Sequence, residues 1–234
     1  MNGEPIIALD FPDRKTTINF LDKFEGRKPF VKIGMELFYA EGPQIVREIK
    51  ERGHRIFLDL KLHDIPNTVK RAMASLAALD VDIVNVHAAG TVRMMSAALE
   101  GVTAEDGSRP LVIAVTQLTS TDEKTMNDEL GIAGSMEDVV CRYARNAKEA
   151  GLDGVVCSPL ESPVIHECCG DDFMTLTPGV RFAGDSAGDQ KRVTTPETAR
   201  ELGSTFIVVG RSITGAADPV AAYERCLKEF GGQR

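Results

Sequence analysis

Residues 54–68 read HRIFLDLKLHDIPNT. The stretch begins as a buried strand, with Ile56, Phe57 and Leu58 in succession, and then admits charge at Asp59, Lys61 and Asp64. Alternate residues of a strand face one side, so Asp59 and Lys61 point the same way, with Cα atoms roughly 7 Å apart. Leu58, Leu60 and Leu62 take the opposite face. Pro66 suits the first turn of a helix, which puts Asp64 in a strand-to-helix turn. Two carboxylates and an ammonium therefore crowd the end of an apolar strand. A structural ion pair has the same spacing. Position favours a site, because a parallel barrel keeps its chemistry at the C-terminal ends of its strands.

Outward from this stretch the same unit repeats. Short apolar runs lie at 5–11 (PIIALDF), 29–35 (PFVKIGM), 82–87 (DIVNVH), 110–118 (PLVIAVTQL), 154–158 (GVVCS), 174–178 (MTLTP) and 205–210 (TFIVVG). Between them, 3.6-residue periodicity predicts helices over 13–25, 43–52, 66–79, 92–101, 136–150, 196–202 and 219–230, with a short one near 163–168. The connection 119–134 is polar and partly helical. Continuous apolar strands are expected where both faces of a parallel sheet are buried. Eight strand–helix alternations predict one (β/α)8 TIM barrel, an α/β fold, over residues 1–234 as a single catalytic domain. A doubly wound sheet is the alternative; no G-x-G-x-x-G follows the first strand to support it.

The 234 residues suit one barrel of about 250, and 43% hydrophobic content supplies its core. A net charge of −8 argues against a general nucleic-acid or anionic-membrane surface. No apolar run reaches the ~18 residues of a membrane span. Five cysteines, without C-x-x-C and without a secretory signal pattern, predict reduced thiols in a cytoplasmic protein.

Several strands carry polar residues at the same end: Asp10, Lys32, Asp59, Lys61, His87, Thr119, Arg181 and Arg211. Singly each has a plain reading: Asp10 as a helix cap, Lys32 as an edge-strand lysine, His87 as a core histidine. In a barrel they would converge on one mouth. No zinc-type spacing occurs, and His63 reads as a turn residue. TPGVR (177–181) and VVGRSIT (208–214) each set glycine beside arginine, as phosphate sites do. Barrels frequently bind phosphate after strands seven and eight. The loop 182–190 between the two motifs would close over a ligand as a lid.

These motifs resemble the orotidine 5′-phosphate decarboxylase family over nearly the whole chain. The likeness runs from ALD (8–10) through VKIG (31–34), D-x-K-x-x-D at 59–64 and VTQLTS (115–120) to TPGVR and VVGR. The D-x-K-x-x-D run alone is shared with magnesium-dependent sugar-phosphate aldolases and decarboxylases on the same barrel. The resemblance implies loss of CO2 from orotidine 5′-monophosphate to give uridine 5′-monophosphate, without metal or organic cofactor, in a homodimer. It implies that Lys61 donates the proton within a catalytic set of Lys32, Asp59, Lys61 and Asp64. Asp10 and Lys32 would hold the ribose. Asp64, Ile65 and Thr68 would enter from the partner subunit. Thr119 and Pro178 would meet the pyrimidine, Gln190 would bridge base and phosphate, and Arg181, Gly210 and Arg211 would bind phosphate. A non-catalytic barrel that binds uridine 5′-monophosphate is the remaining alternative.

Overall fold

The computed structural model describes residues 4–185 and 194–231. Among these, eight parallel strands close into a barrel in chain order, the eighth pairing with the first. They are β1 (Pro5–Ala8), β2 (Phe30–Gly34), β3 (Ile56–Leu62), β4 (Ile83–His87), β5 (Leu111–Val115), β6 (Gly154–Val156), β7 (Met174–Val180) and β8 (Phe206–Val209). The helices are α1 (Arg14–Leu21), α2 (Met35–Glu41), α3 (Pro43–Glu51), α4 (Pro66–Ala77), α5 (Thr91–Val102) and α6 (Glu123–Asp128). Then come α7 (Met136–Glu149), α8 (Ser162–Cys169), α9 (Pro196–Glu201), α10 (Arg211–Thr214) and α11 (Pro219–Gly231). None is long and apolar enough to cross a membrane.

The alternation of each strand divides the core in two. Phe30, Phe57, Ile83, Ile113, Leu176 and Phe206 point inward and fill the barrel's interior. Their neighbours Val31, Leu58, Val84, Val112, Ile207 and Val209 point outward against the helices. Both faces of every strand are therefore buried, which accounts for the unbroken apolar runs in the sequence. At the mouth the inward positions turn polar: Lys32 follows Phe30, Asp59 follows Phe57, and Asn85 follows Ile83.

Two short helices lie where the sequence pattern showed none. α2 starts directly from β2 and is separated from α3 by Gly42, whose φ of 67° breaks the helical path. α10 is built from the VVGRSIT motif itself. Asp13, not Asp10, caps α1, accepting the Thr16 N–H at 2.7 Å. That leaves the Asp10 carboxylate available to the mouth.

Candidate active site

The end of β3 departs from a regular strand. Leu58 pairs with Val84, and the next paired residue, Leu62, meets Val86. Three residues of β3, Asp59 to Lys61, therefore face one residue of β4, Asn85. Such bulges re-aim side chains beside active sites. Lys61 takes a φ of 51°, a left-handed conformation that costs a non-glycine residue about 1–2 kcal/mol. The Asn85 side chain compensates. Its carbonyl accepts the Lys61 N–H at 2.8 Å, and its amide donates to Asp59 Oδ1 at 2.7 Å.

The result is a row of alternating charge across three strands. Lys32 Nζ lies 2.9 Å from Asp10 Oδ1 and 3.6 Å from Asp59 Oδ2. Lys61 Nζ lies 2.6 Å from Asp59 Oδ1. Lys32 and Asp59 are buried. Burial by itself would raise the Asp59 pKa. The Lys32 and Lys61 charges, with hydrogen bonds from Lys61 and Asn85, outweigh it and hold the carboxyl below 3.8. Asp59 is thus an anion at neutral pH, clamped between two cations.

The row forms one wall of a cavity of about 820 Å³ in the barrel mouth. Gln117, Thr119, Ser120 and Pro178 line it at β5 and β7, and Arg181, Gly210 and Arg211 line it at β7 and β8. The floor is apolar, with Phe57, Val115 and Leu176. Apolar lining with a few convergent polar groups is the usual character of a small-molecule site. The β7 rim bulges too: Thr177 pairs with Ile207 and Val180 with Val209, so Pro178 and Gly179 oppose only Val208. Gly179 there has a φ of 83°, a conformation glycine adopts without strain. Arg181, buried, is turned into the cavity immediately after this bulge.

A family model described as Orotidine 5′-phosphate decarboxylase / HUMPS family matches residues 3–226. The chain belongs to that family. It is 59% identical to an orotidine 5′-phosphate decarboxylase of Bacillus cytotoxicus, with 99% of each chain covered. A Bacillus cereus decarboxylase is 58% identical over the same share. The crystal structure of a Lactobacillus acidophilus orotidine 5′-phosphate decarboxylase superposes with a TM-score of 0.88 at 42% identity, over 98% of this chain and 100% of that one. A Geobacillus kaustophilus protein, solved as an uncharacterized conserved protein, gives 0.87 at 52% identity, over 97% and 99%.

Of the residues the family resemblance singles out, Asp10, Lys32, Asp59, Lys61, Thr119, Pro178, Arg181, Gly210 and Arg211 line one cavity. Asp64, Ile65 and Thr68 do not line it. They are exposed on the turn and first helical residues after β3, and Asp64 Oδ1 accepts the N–H of its neighbour Ile65. The crowding of Asp64 against Lys61 expected from sequence is therefore absent within the single chain. Gln190 and the rest of 186–193 lie outside the described residues. Sequence reading passed over Asn85, Gln117 and Ser120. Asn85 had a usable signal, since it sits two residues before His87 on the inward face of β4. His87 is half-buried, its ring 5.7 Å from that of His63. Burial, with His63 and Lys61 nearby, lowers its pKa below 6.5, so it is neutral at pH 7.

Proposed function

We propose that this barrel decarboxylates orotidine 5′-monophosphate to uridine 5′-monophosphate and CO2, with Lys61 as the group that stabilises and then protonates the ring carbon. The carrying observation is the Lys61 ammonium, held 2.6 Å from buried Asp59 at the mouth of a chain that matches decarboxylases end to end. Breaking the C6–carboxylate bond leaves its electron pair in an in-plane orbital of C6, where ring resonance cannot disperse it. A fixed cation at that point stabilises the developing charge without reorganising. The carbanion then takes a proton from Lys61 Nζ, and water restores the ammonium.

The other residues fit the rest of the substrate. Asp10 and Lys32, already paired with each other, offer an acceptor and a donor to ribose hydroxyls. Thr119 and Pro178 flank the place of the base, with Gln190 assigned a bridging role. Arg181, Gly210 and Arg211 form the phosphate corner, where arginine grips two oxygens at once. Phosphate binding far from C6 supplies energy that can be spent on desolvation at the reacting carbon. Asp59 faces the incoming carboxylate, and its repulsion is relieved as neutral CO2 leaves. Asp64, Ile65 and Thr68 act on the mouth of a second copy in a homodimer. Residues 1–234 work as one catalytic domain, needing no metal or organic cofactor. Five free thiols suit the cytoplasm.

The test is the loss of orotidine 5′-monophosphate absorbance in chelator-treated protein. Full turnover is expected. Turnover that vanishes with chelation and returns with magnesium would overturn the metal-free reading, and binding without turnover would overturn the enzyme.

A further inference from the structure

We infer that Asn85 is a positioning residue for decarboxylation: its carboxamide sets the β3 bulge and the Asp59 carboxylate together, and so fixes where Lys61 presents its proton. The inference rests on the role of Lys61 proposed above. Asn85 does not line the cavity, and it is buried against the charged row through Asp59.

Its two hydrogen bonds admit only one orientation of the amide. The Lys61 backbone N–H needs an acceptor, so it must meet Oδ1; the Asp59 carboxylate needs a donor, so it must meet Nδ2. Both ends of the Asp59–Lys61 pair are thereby referred to one rigid group on β4. The bond to Lys61 replaces the ladder contact that the bulge removes, and it holds the backbone in its left-handed turn. The bond to Asp59 falls on Oδ1, the oxygen that also receives Lys61 Nζ at 2.6 Å, while Oδ2 faces Lys32. The carboxylate plane is thus fixed from both sides. Without the amide, Asp59 is free to rotate toward Lys32, and Lys61 loses both its backbone anchor and the orientation of its counter-ion. A displacement of about 1 Å in a reacting group can cost on the order of a hundredfold in rate.

The variants N85A and N85D separate positioning from packing. The titratable groups around the amide are Asp59 and Lys61 on β3, Lys32 on β2 through Asp59, and His87, neutral at pH 7, on β4 itself. On the β5 side, the paired residue is apolar Ile113. In N85D a second carboxyl meets Asp59. Two carboxylates so close do not both ionise easily, so the new acid takes up a proton as pH falls. Protonated, it again donates to Asp59 while accepting from the Lys61 N–H.

For N85A, kcat is expected to fall on the order of a hundredfold, with affinity for uridine 5′-monophosphate unchanged. The ratio of N85D to N85A kcat is expected to rise toward acid pH. Wild-type kcat in N85A overturns the inference. So does a parallel fall of kcat and nucleotide affinity, or an N85D-to-N85A ratio flat with pH. If N85A does not fold, the slope of N85D relative to wild type decides by the same criterion. K61A assayed alongside keeps the two claims apart. An active K61A sinks the assignment of Lys61, whereas an inactive K61A beside an active N85A sinks only that of Asn85.

Discussion

Lys61 is asked to be both a fixed charge and a proton source, and its surroundings suit both tasks. Asp59 holds the ammonium in place, while the bulge leaves the side chain partly open to the cavity. Replacing it with alanine removes the transition-state charge and the proton together. We expect K61A to lose at least about 10⁴-fold in kcat. Its melting temperature should change little, because Asp59 keeps Lys32 and Asn85 as partners. A progress curve and a thermal melt on the same sample check both halves, and near-normal turnover would refute the assignment. Asp59 gives a prediction in pH. Its folded pKa lies below 3.8, so its stabilisation is fully present above that value and is lost as pH falls through the lowered one. D59N should therefore show a flatter stability curve than wild type below about pH 5, measured by urea melts at each pH. Equal curves would mean that the ion pairs contribute nothing to the fold.

Two glycines at strand positions separate what the barrel needs from what the site needs. A Cβ on Gly34, where β2 passes into α2, would lie 2.8 Å from Lys32 Nζ and 3.4 Å from Asp10 Oδ1. Only flexible side-chain ends must move, so G34A should fold normally yet weaken substrate binding and turnover by displacing Lys32 from its acids. A Cβ on Gly154 in β6 would lie 2.2 Å from the carbonyl oxygen of Met174 in β7. Backbone cannot step aside there, and G154A should destabilise the protein by about 3 kcal/mol or more. Denaturant melts paired with activity assays distinguish the two; a destabilised G34A or a stable G154A would contradict the geometry. Strand order and the convergence of charge at the mouth were legible because buried strands announce themselves as apolar runs, and inward polar residues at their ends stand out. The bulges were not legible. Strict alternation put Asp59 and Lys61 on one side, which is correct, but no residue type in DLK signals a positive φ at lysine. Asn85 carried a signal, as a polar residue in phase with His87 inside DIVNVH, but its partners could be named only once the β3 register placed it opposite the bulge. α10 was hidden because its residues, RSIT, were already read as part of a site motif, and α2 because a seven-residue helix starting directly from β2 shows only about two turns of apolar periodicity.

At the scale of the whole molecule, the single barrel leaves one part of the D-x-K-x-x-D run unused. Asp59 and Lys61 line the cavity, while Asp64, Ile65 and Thr68 face outward on the turn and helix that follow. Ile65 is 66% exposed. On the proposed reading, Asp64 serves the cavity of another copy, and a two-fold pair exchanges such residues reciprocally. This predicts complementation. K61A and D64A homodimers should each be nearly inactive. A heterodimer of the two contains one site lacking both groups and one site with native Lys61 from one chain and native Asp64 from the other. Random exchange makes half the dimers mixed, each with one competent site in two, so about a quarter of wild-type activity should return. The mixture is refolded or co-expressed, and heterodimers are verified by differential tags before assay. Verified heterodimers as inactive as their parents would place Asp64 outside the partner's site, and a fully active D64A would remove it from the chemistry altogether.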